Sequence, residues 1–250
     1  MDRLKLSEER HFLEGPRSRW AELKYAISVV FQFLKGFRTL HFVGPCVTIF
    51  GSARYAEDHP YYHLTRSVAA KISKLGFTIM TGGGPGLMEA ANRGAKDAGG
   101  LSIGCNIVLP KEQHENPYLD KFVKLDYFFV RKELLRKYSS AFVVMPGGFG
   151  TLDEFFETLT LVQTHKTQNF PIILMGKSYY KDLIEQINQM AIEKTISIED
   201  LQYILITDRV EDVAELIKDK LIDKTYKKIN RIQPHWILGE QQLQKKVKKT

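Results

Sequence analysis

A chain of 250 residues, 44% of them hydrophobic and 26% charged, has the composition of an ordinary globular protein and is long enough to bury one continuous core; a disordered chain and a collagen-like repeat are excluded. The 36 Lys and Arg against 29 Asp and Glu leave a net charge of +7, which favours anionic partners. Its two cysteines, Cys46 and Cys105, stand far apart among apolar residues, which excludes a disulfide framework and a C-x-x-C site and fits a reducing, cytoplasmic setting.

Met1 to Arg10 lacks the order of a signal peptide, and the apolar run from Ile27 to Leu34 is interrupted by Gln32 and too short to cross a bilayer, so no membrane partner is expected. From Trp20 to Phe37, the spacing of Trp20, Leu23, Ile27, Val30, Phe31 and Leu34 predicts an amphipathic helix stopped near Gly36. Val29, Phe33 and Phe37 widen its apolar stripe beyond one contact surface, which leaves packing on its own domain and a subunit interface both open. Beyond Val47 short apolar runs alternate with helix-length segments. The expected strands are Val47 to Phe50, Phe77 to Met80, Ser102 to Val108, Phe122 to Phe129, Ala141 to Met145, Ile172 to Met175 and Tyr203 to Ile206. The expected helices are Tyr61 to Leu75, Gly86 to Ala98, Arg131 to Ser139, Thr151 to Gln163, Tyr179 to Lys194 and Val210 to Ile222. Such alternation predicts a doubly wound, Rossmann-like α/β domain, a mostly parallel sheet with helices on both faces. The expected organisation is a helical extension over 1–44, a nucleotide-binding domain over 45–225 and a basic extension over 226–250. The lysines at 245, 246, 248 and 249 read as a solvated end, and nucleic acid is not an expected partner.

Ligands of such sheets sit beyond the carboxyl ends of the strands, and three of those ends are unusual. They are Gly51-Ser52-Ala53-Arg54, Thr81-Gly82-Gly83-Gly84-Pro85-Gly86 and Pro146-Gly147-Gly148-Phe149-Gly150-Thr151. Glycines let backbone N–H groups approach an anion, and the helix behind each loop adds its positive dipole end, so phosphate is the expected occupant. A dinucleotide G-x-G-x-x-G fails at Leu87 and at Asp153, and no Gly-Lys-Ser/Thr follows either glycine run, which leaves a mononucleotide or a sugar phosphate.

Arg131 and Lys132 open the expected helix at 131–139, where the dipole disfavours positive charge by about 0.3–1 kcal/mol each. A compensating anion is therefore expected, either a local carboxylate such as Glu133 or Asp126 or a bound phosphate. Thr151-x-x-Glu154 fits a capping box, but Leu152, Phe155, Phe156, Leu159 and Val162 form the expected buried face and leave Asp153, Glu154, Glu157 and Thr160 on the other side. A carboxylate beside a phosphate loop is costly unless chemistry uses it. The seven histidines show no metal-ligand spacing, and no metal or organic cofactor is expected.

Arg131-Lys132 followed by Pro146-Gly147-Gly148-Phe149-Gly150-Thr151-Leu152-Asp153-Glu154, with Gly82-Gly83-Gly84-Pro85-Gly86-Leu87-Met88-Glu89 upstream, resembles the LOG (Lonely Guy) family of phosphoribohydrolases over about Val47 to Met175. The resemblance implies hydrolysis of the N-glycosidic bond of nucleoside 5′-monophosphates, adenylate or its N6-modified forms, to free base and ribose 5-phosphate. It implies a catalytic pair, Arg131 and Glu154, with substrate contacts at Lys132, along Gly148, Phe149, Gly150, Thr151, Leu152 and Asp153, at Thr160 and at Glu112. It also implies a homodimer or larger homo-oligomer. Glu89 stands where plant members have glycine, which aligns the chain with the longer bacterial branch. Some relatives carry the name lysine decarboxylase, but no pyridoxal phosphate lysine motif is evident. The alternative is a non-catalytic nucleotide sensor built on the same loops.

Overall fold

The computed structural model describes residues 15–108, 114–167 and 170–226; Glu112, residues 1–14 and the basic tail lie outside them. Helix α1 (Arg19–Leu40) precedes the sheet, and its start is capped by the Ser18 hydroxyl, which accepts from the Ala21 N–H. Then follow β1 (Cys46–Phe50), α2 (Pro60–Lys74), β2 (Thr78–Thr81), α3 (Leu87–Asp97), β3 (Ser102–Ile107), β4 (Lys121–Leu125), α4 (Phe128–Tyr138), β5 (Ser139–Val144), α5 (Phe149–Gln163), β6 (Ile172–Leu174), α6 (Lys181–Ile192), a 3₁₀ turn (Ile198–Tyr203), β7 (Ile204–Ile206) and α7 (Val210–Tyr226).

The seven strands form one sheet in the order β4-β3-β2-β1-β5-β6-β7, and every recorded pair is parallel. This is the doubly wound architecture that the alternation implied. The order reverses between β1 and β5, so the crevice favoured for a ligand opens where Phe50 and Val144 end their strands. On one face α2, α3 and α7 cover the sheet through Val68, Ile72, Leu87, Ala91, Val213 and Ile217. On the other, Leu40 of α1 and Val130, Leu134 and Leu135 of α4 cover the β3–β4 side, while Phe155 and Val162 of α5 and Ile187 of α6 cover β5 and β6. Among the described residues no helix is long and apolar enough to cross a membrane.

Three features differ from the sequence reading in ways that have a physical reason. The strand expected to run to Phe129 ends at Leu125, and Phe128 and Phe129 open α4 instead; their β-propensity yields to the packing of Tyr127 and Val130 in the core. Arg131 therefore lies in the first full turn of α4, donating its N–H to the Tyr127 carbonyl at 3.1 Å, rather than at its first position. Helix α5 begins at Phe149 with Gly148 as its N-cap and no side-chain cap, so Thr151 and Glu154 do not form a capping box. Finally, the apolar positions of α1 divide into two faces. Tyr25, Val29, Phe33, Gly36, Phe37 and Leu40 pack on the domain, whereas Trp20, Leu23, Ile27, Val30, Phe31 and Leu34 are exposed.

Candidate active site

At the reversal point three loops are tied to one another through their backbones. The Ser52 N–H donates to the Pro146 carbonyl at 3.0 Å, the Leu87 N–H to the Ser52 carbonyl at 2.9 Å, and the Met145 N–H to the Phe50 carbonyl at 2.8 Å. Gly86 sits at φ +69°, and a Cβ there would stand 2.5 Å from the Ser52 oxygen; only glycine meets both conditions. The Tyr179 hydroxyl donates to the Gly147 carbonyl at 3.0 Å and the Tyr180 hydroxyl to that of Met145 at 2.8 Å, which fixes the third loop from the far side.

Beneath Gly82–Gly84 lies a buried polar network that sequence reasoning missed. The Thr81 hydroxyl accepts from the Gly83 N–H and donates to Asn92 Oδ1 at 2.7 Å, while Asn92 Nδ2 donates to the Ser102 hydroxyl at 2.8 Å. Asn116 Nδ2 donates to Asn92 Oδ1 and to the Gly84 carbonyl, and the Asn116 N–H donates to the Gly83 carbonyl. A satisfied network of this kind holds the loop in one conformation. Its one sequence signal was an asparagine among the buried alanines of α3, at Ala90, Ala91 and Ala95.

The loop before α5 is built differently. Gly148, Phe149 and Gly150 are exposed, nothing lies within 4 Å of a Cβ at Gly148 or Gly150, and Phe149 is 94% exposed. The first N–H groups of a helix have no intrahelical acceptor, so the exposed start of α5 carries donors and a positive dipole end of the kind that binds anions. By contrast, Gly147 turns tightly against Thr151, whose side chain is buried.

Two turns of two helices meet beside this loop. Glu154, in the second turn of α5, is 4% exposed. Burial pushes its carboxyl up from 4.5 to about 7; the positive charges of Arg131 and then Lys132 oppose the rise, and Glu157 and Asp153 add to it. Arg131 crosses from α4 toward Gly82, where a Cβ would stand 3.2 Å from its Nη2. Its buried Nε has no hydrogen-bond partner among the described residues. An orphaned guanidinium N–H costs about 1–3 kcal/mol, and an anionic ligand would remove that cost. Cys105, buried on β3, lies in the field of both side chains, and burial pushes its thiol up to about 12, so it is inert packing.

Lys132 is engaged otherwise: its ammonium pairs with Glu157 at 2.5 Å and Asp153 at 3.1 Å. Burial lowers its pKa, but these two carboxylates outweigh that effect and raise it. The anion expected to compensate the Arg131-Lys132 pair is therefore supplied for Lys132 by α5, not by Glu133, which pairs with Arg136, nor by Asp126, which binds Gln32. Of the expected site residues, Gly82 lies against Arg131, Gly51, Ser52, Gly83, Gly84 and Gly147 belong to the loops at the ends of β1, β2 and β5, and Gly148, Phe149, Gly150, Thr151 and Asp153 stand at the start of α5 before Glu154. Two others do not join them. The Leu152 side chain packs into the core. Thr160 is exposed, bonded to the Phe156 carbonyl and six residues, about 9 Å of helix rise, from Glu154. Phe156, expected in the core, is exposed as well, because the face of α5 that turns inward carries Thr151, Glu154, Phe155, Thr158 and Val162. A cavity of about 860 Å³, lined by His165, Lys194, Ser197 and Asp200 among others, lies at the opposite end of α5, so volume alone does not locate this chemistry.

The family model described as "Possible lysine decarboxylase" matches residues 88–217. The cytokinin riboside 5′-monophosphate phosphoribohydrolase of Rhodococcoides fascians is 26% identical over 177 residues, covering 69% of this chain and 88% of that protein. The enzyme of the same name from Mycobacterium tuberculosis is 29% identical over 157 residues, 60% of this chain and 81% of the relative. A pyrimidine/purine nucleotide 5′-monophosphate nucleosidase of Escherichia coli is 24% identical over 207 residues, 78% of this chain but 45% of its own length. Among solved structures, a molybdenum cofactor binding protein of Rippkaea orientalis superposes with a TM-score of 0.52 at 25% identity, over 70% of this chain and 96% of that one. The molybdenum cofactor carrier protein of Chlamydomonas reinhardtii does so with a TM-score of 0.52 at 21% identity, over 71% and 98%. These two likenesses bear on the fold.

Proposed function

The chain belongs to the LOG family, whose model spans more than half of it, and from that premise we propose that it is a nucleoside 5′-monophosphate phosphoribohydrolase acting on adenylate or an N6-modified adenylate. Water adds across the bond between ribose C1′ and the base nitrogen, releasing free base and ribose 5-phosphate. The relatives named for this reaction support it, and so does the site. An open helix N-terminus and an unsatisfied arginine fit a 5′-phosphate, which lysine, the substrate that the name of the family model suggests, does not have.

In this reading the α5 amides at Phe149 and Gly150 and the Gly82–Gly84 loop take the phosphate, and Arg131 supplies the charge that holds it. The ribose is thereby fixed with C1′ toward Glu154. As the glycosidic bond breaks, positive charge builds on the sugar; the Glu154 carboxylate stabilises it and removes a proton from the attacking water, as carboxylates do in glycoside hydrolysis. Lys132, through Asp153 and Glu157, clamps α4 to α5 and keeps Arg131 and Glu154 opposed. The buried Glu154 with its raised pKa facing Arg131 is the observation that carries the assignment. Purified protein with adenylate should release adenine and ribose 5-phosphate, and Glu154→Gln should lose at least about 10²-fold in kcat while staying folded. Equal turnover by the variant overturns the role of Glu154, and tight adenylate binding without base release favours a sensor.

We also propose that the protein self-associates through α1. Trp20, Leu23, Ile27, Val30 and Leu34 repeat at alternating three- and four-residue spacing, the seam of a helix pair, and all are exposed, Trp20 by 74%. With the exposed Phe31 they form an apolar stripe along the outer face of the helix, rich in the large side chains that dominate interfaces.

A further inference from the structure

Helix α1 lies outside the region matched by the family model, yet its inner face grips the segment that leads into α4. Lys35 Nζ donates to the Lys124 carbonyl at 2.6 Å. Gln32 Nε2 donates to Asp126 Oδ2 at 2.5 Å, and Gln32 Oε1 accepts from the Asp126 N–H at 3.3 Å. The Tyr127 hydroxyl donates to the Ser28 hydroxyl at 3.1 Å, and the Tyr25 ring meets the Tyr127 ring edge-on at 5.3 Å. Gly36 lets the two helices touch, for a Cβ there would stand 2.1 Å from Leu134 Cδ1.

Little in α4 itself fixes where it begins. Tyr127, its N-cap, makes no side-chain cap bond, and the first turn carries no acidic residue, so both local start signals are missing. The next residues, Phe128 and Phe129, favour a strand on sequence grounds. A slip of one residue would rotate Arg131 by about 100° around the helix axis and carry it off Gly82. Resting on the proposed function, we infer that α1 is a clamp that sets the register of α4, with Gln32 a positioning residue that acts through Asp126 and Tyr127 on Arg131.

Two measurements on the full chain test this. In the first, amide exchange is followed in the peptide covering residues 128–135 of wild type and Gln32→Ala. Gln32 is half-buried on the surface of α1, so the variant should fold, with exchange in that peptide accelerated at least about tenfold and the β1 and β5 peptides unchanged. Asp126→Asn, which keeps a partner for the Gln32 amide, should match wild type. In the second, adenylate hydrolysis is compared in a double-mutant cycle. Gln32→Ala should lower kcat/KM about five- to twentyfold in the wild-type chain and less than twofold in an Arg131→Ala background. Unchanged exchange, or an equal loss in both backgrounds, overturns the clamp. If wild type releases no base from any nucleoside monophosphate, the proposed function fails and the exchange result alone decides the clamp; Ser28→Ala provides a second probe should Gln32→Ala not fold.

Discussion

Glu154 holds a carboxyl in a place that raises its pKa from 4.5 to about 7, burial being the main cause. Between those two pH values the native protein binds more protons than the unfolded chain, so stability falls as pH rises through the window. Replacing Glu154 by glutamine removes the buried charge. Glu154→Gln should therefore raise Tm at pH 8 by several degrees, equivalent to about 1–3 kcal/mol, and change it little at pH 4.5. Calorimetry at the two pH values checks this; an equal gain at both would assign the effect to packing instead of charge. The same titration predicts kcat/KM falling about tenfold per pH unit below about 7, since the ionised carboxylate is the working form. Arg131 and Glu154 stood out as candidates in the sequence because each broke a local rule, cations early in a helix and an acid beside a phosphate loop, but Glu154 was read onto the outward side of α5 and instead lies on its buried face. Asn116 did not: its bonds to the Gly84 carbonyl and to Asn92 join segments 32 and 24 residues apart, and nothing local marks it, while Asn92 showed only as a polar residue among the buried alanines of α3.

Among elements, the glycine loops that look alike in sequence separate into a rigid one and an open one. Gly86 carries φ +69° and has the Ser52 oxygen where a Cβ would go, while Gly150 has empty space there. Gly86→Ala should cost at least about 2 kcal/mol of stability. Gly150→Ala, inside the first turn of α5, should leave Tm equal or slightly higher and yet raise KM for adenylate about tenfold by crowding the phosphate. Thermal melts alongside steady-state kinetics separate the two; an unchanged KM in Gly150→Ala would remove the phosphate from this helix end. Every strand and helix of the sheet was legible from the alternation of apolar runs and Gly-rich turns. The misplaced boundary at Phe128 was not, since two adjacent phenylalanines read as strand until Gln32 and Tyr25 of α1 fix the chain before them.

At the scale of the whole molecule, alternation implied a parallel sheet but not the order β4-β3-β2-β1-β5-β6-β7, because which strand neighbours which depends on contacts far apart in the chain. That order creates the crevice between β1 and β5 and gathers three loops that the sequence showed only one at a time. It also leaves α1 lying over the β4 side with a second apolar face turned outward. A monomer with Trp20, Ile27, Val30 and Phe31 all exposed would keep a large apolar patch in water, and a second copy of the helix, packing the same three-four repeat against it, would bury that patch symmetrically. Light scattering should therefore give at least twice the monomer mass of 28.8 kDa. Ile27→Glu with Phe31→Glu, which touch neither the inner face of α1 nor Arg131, should return that mass to the monomer value at micromolar concentration. An unchanged oligomer in the double variant would place the subunit contact on another surface, and a wild-type monomer would leave the outer face of α1 without a second copy to cover it.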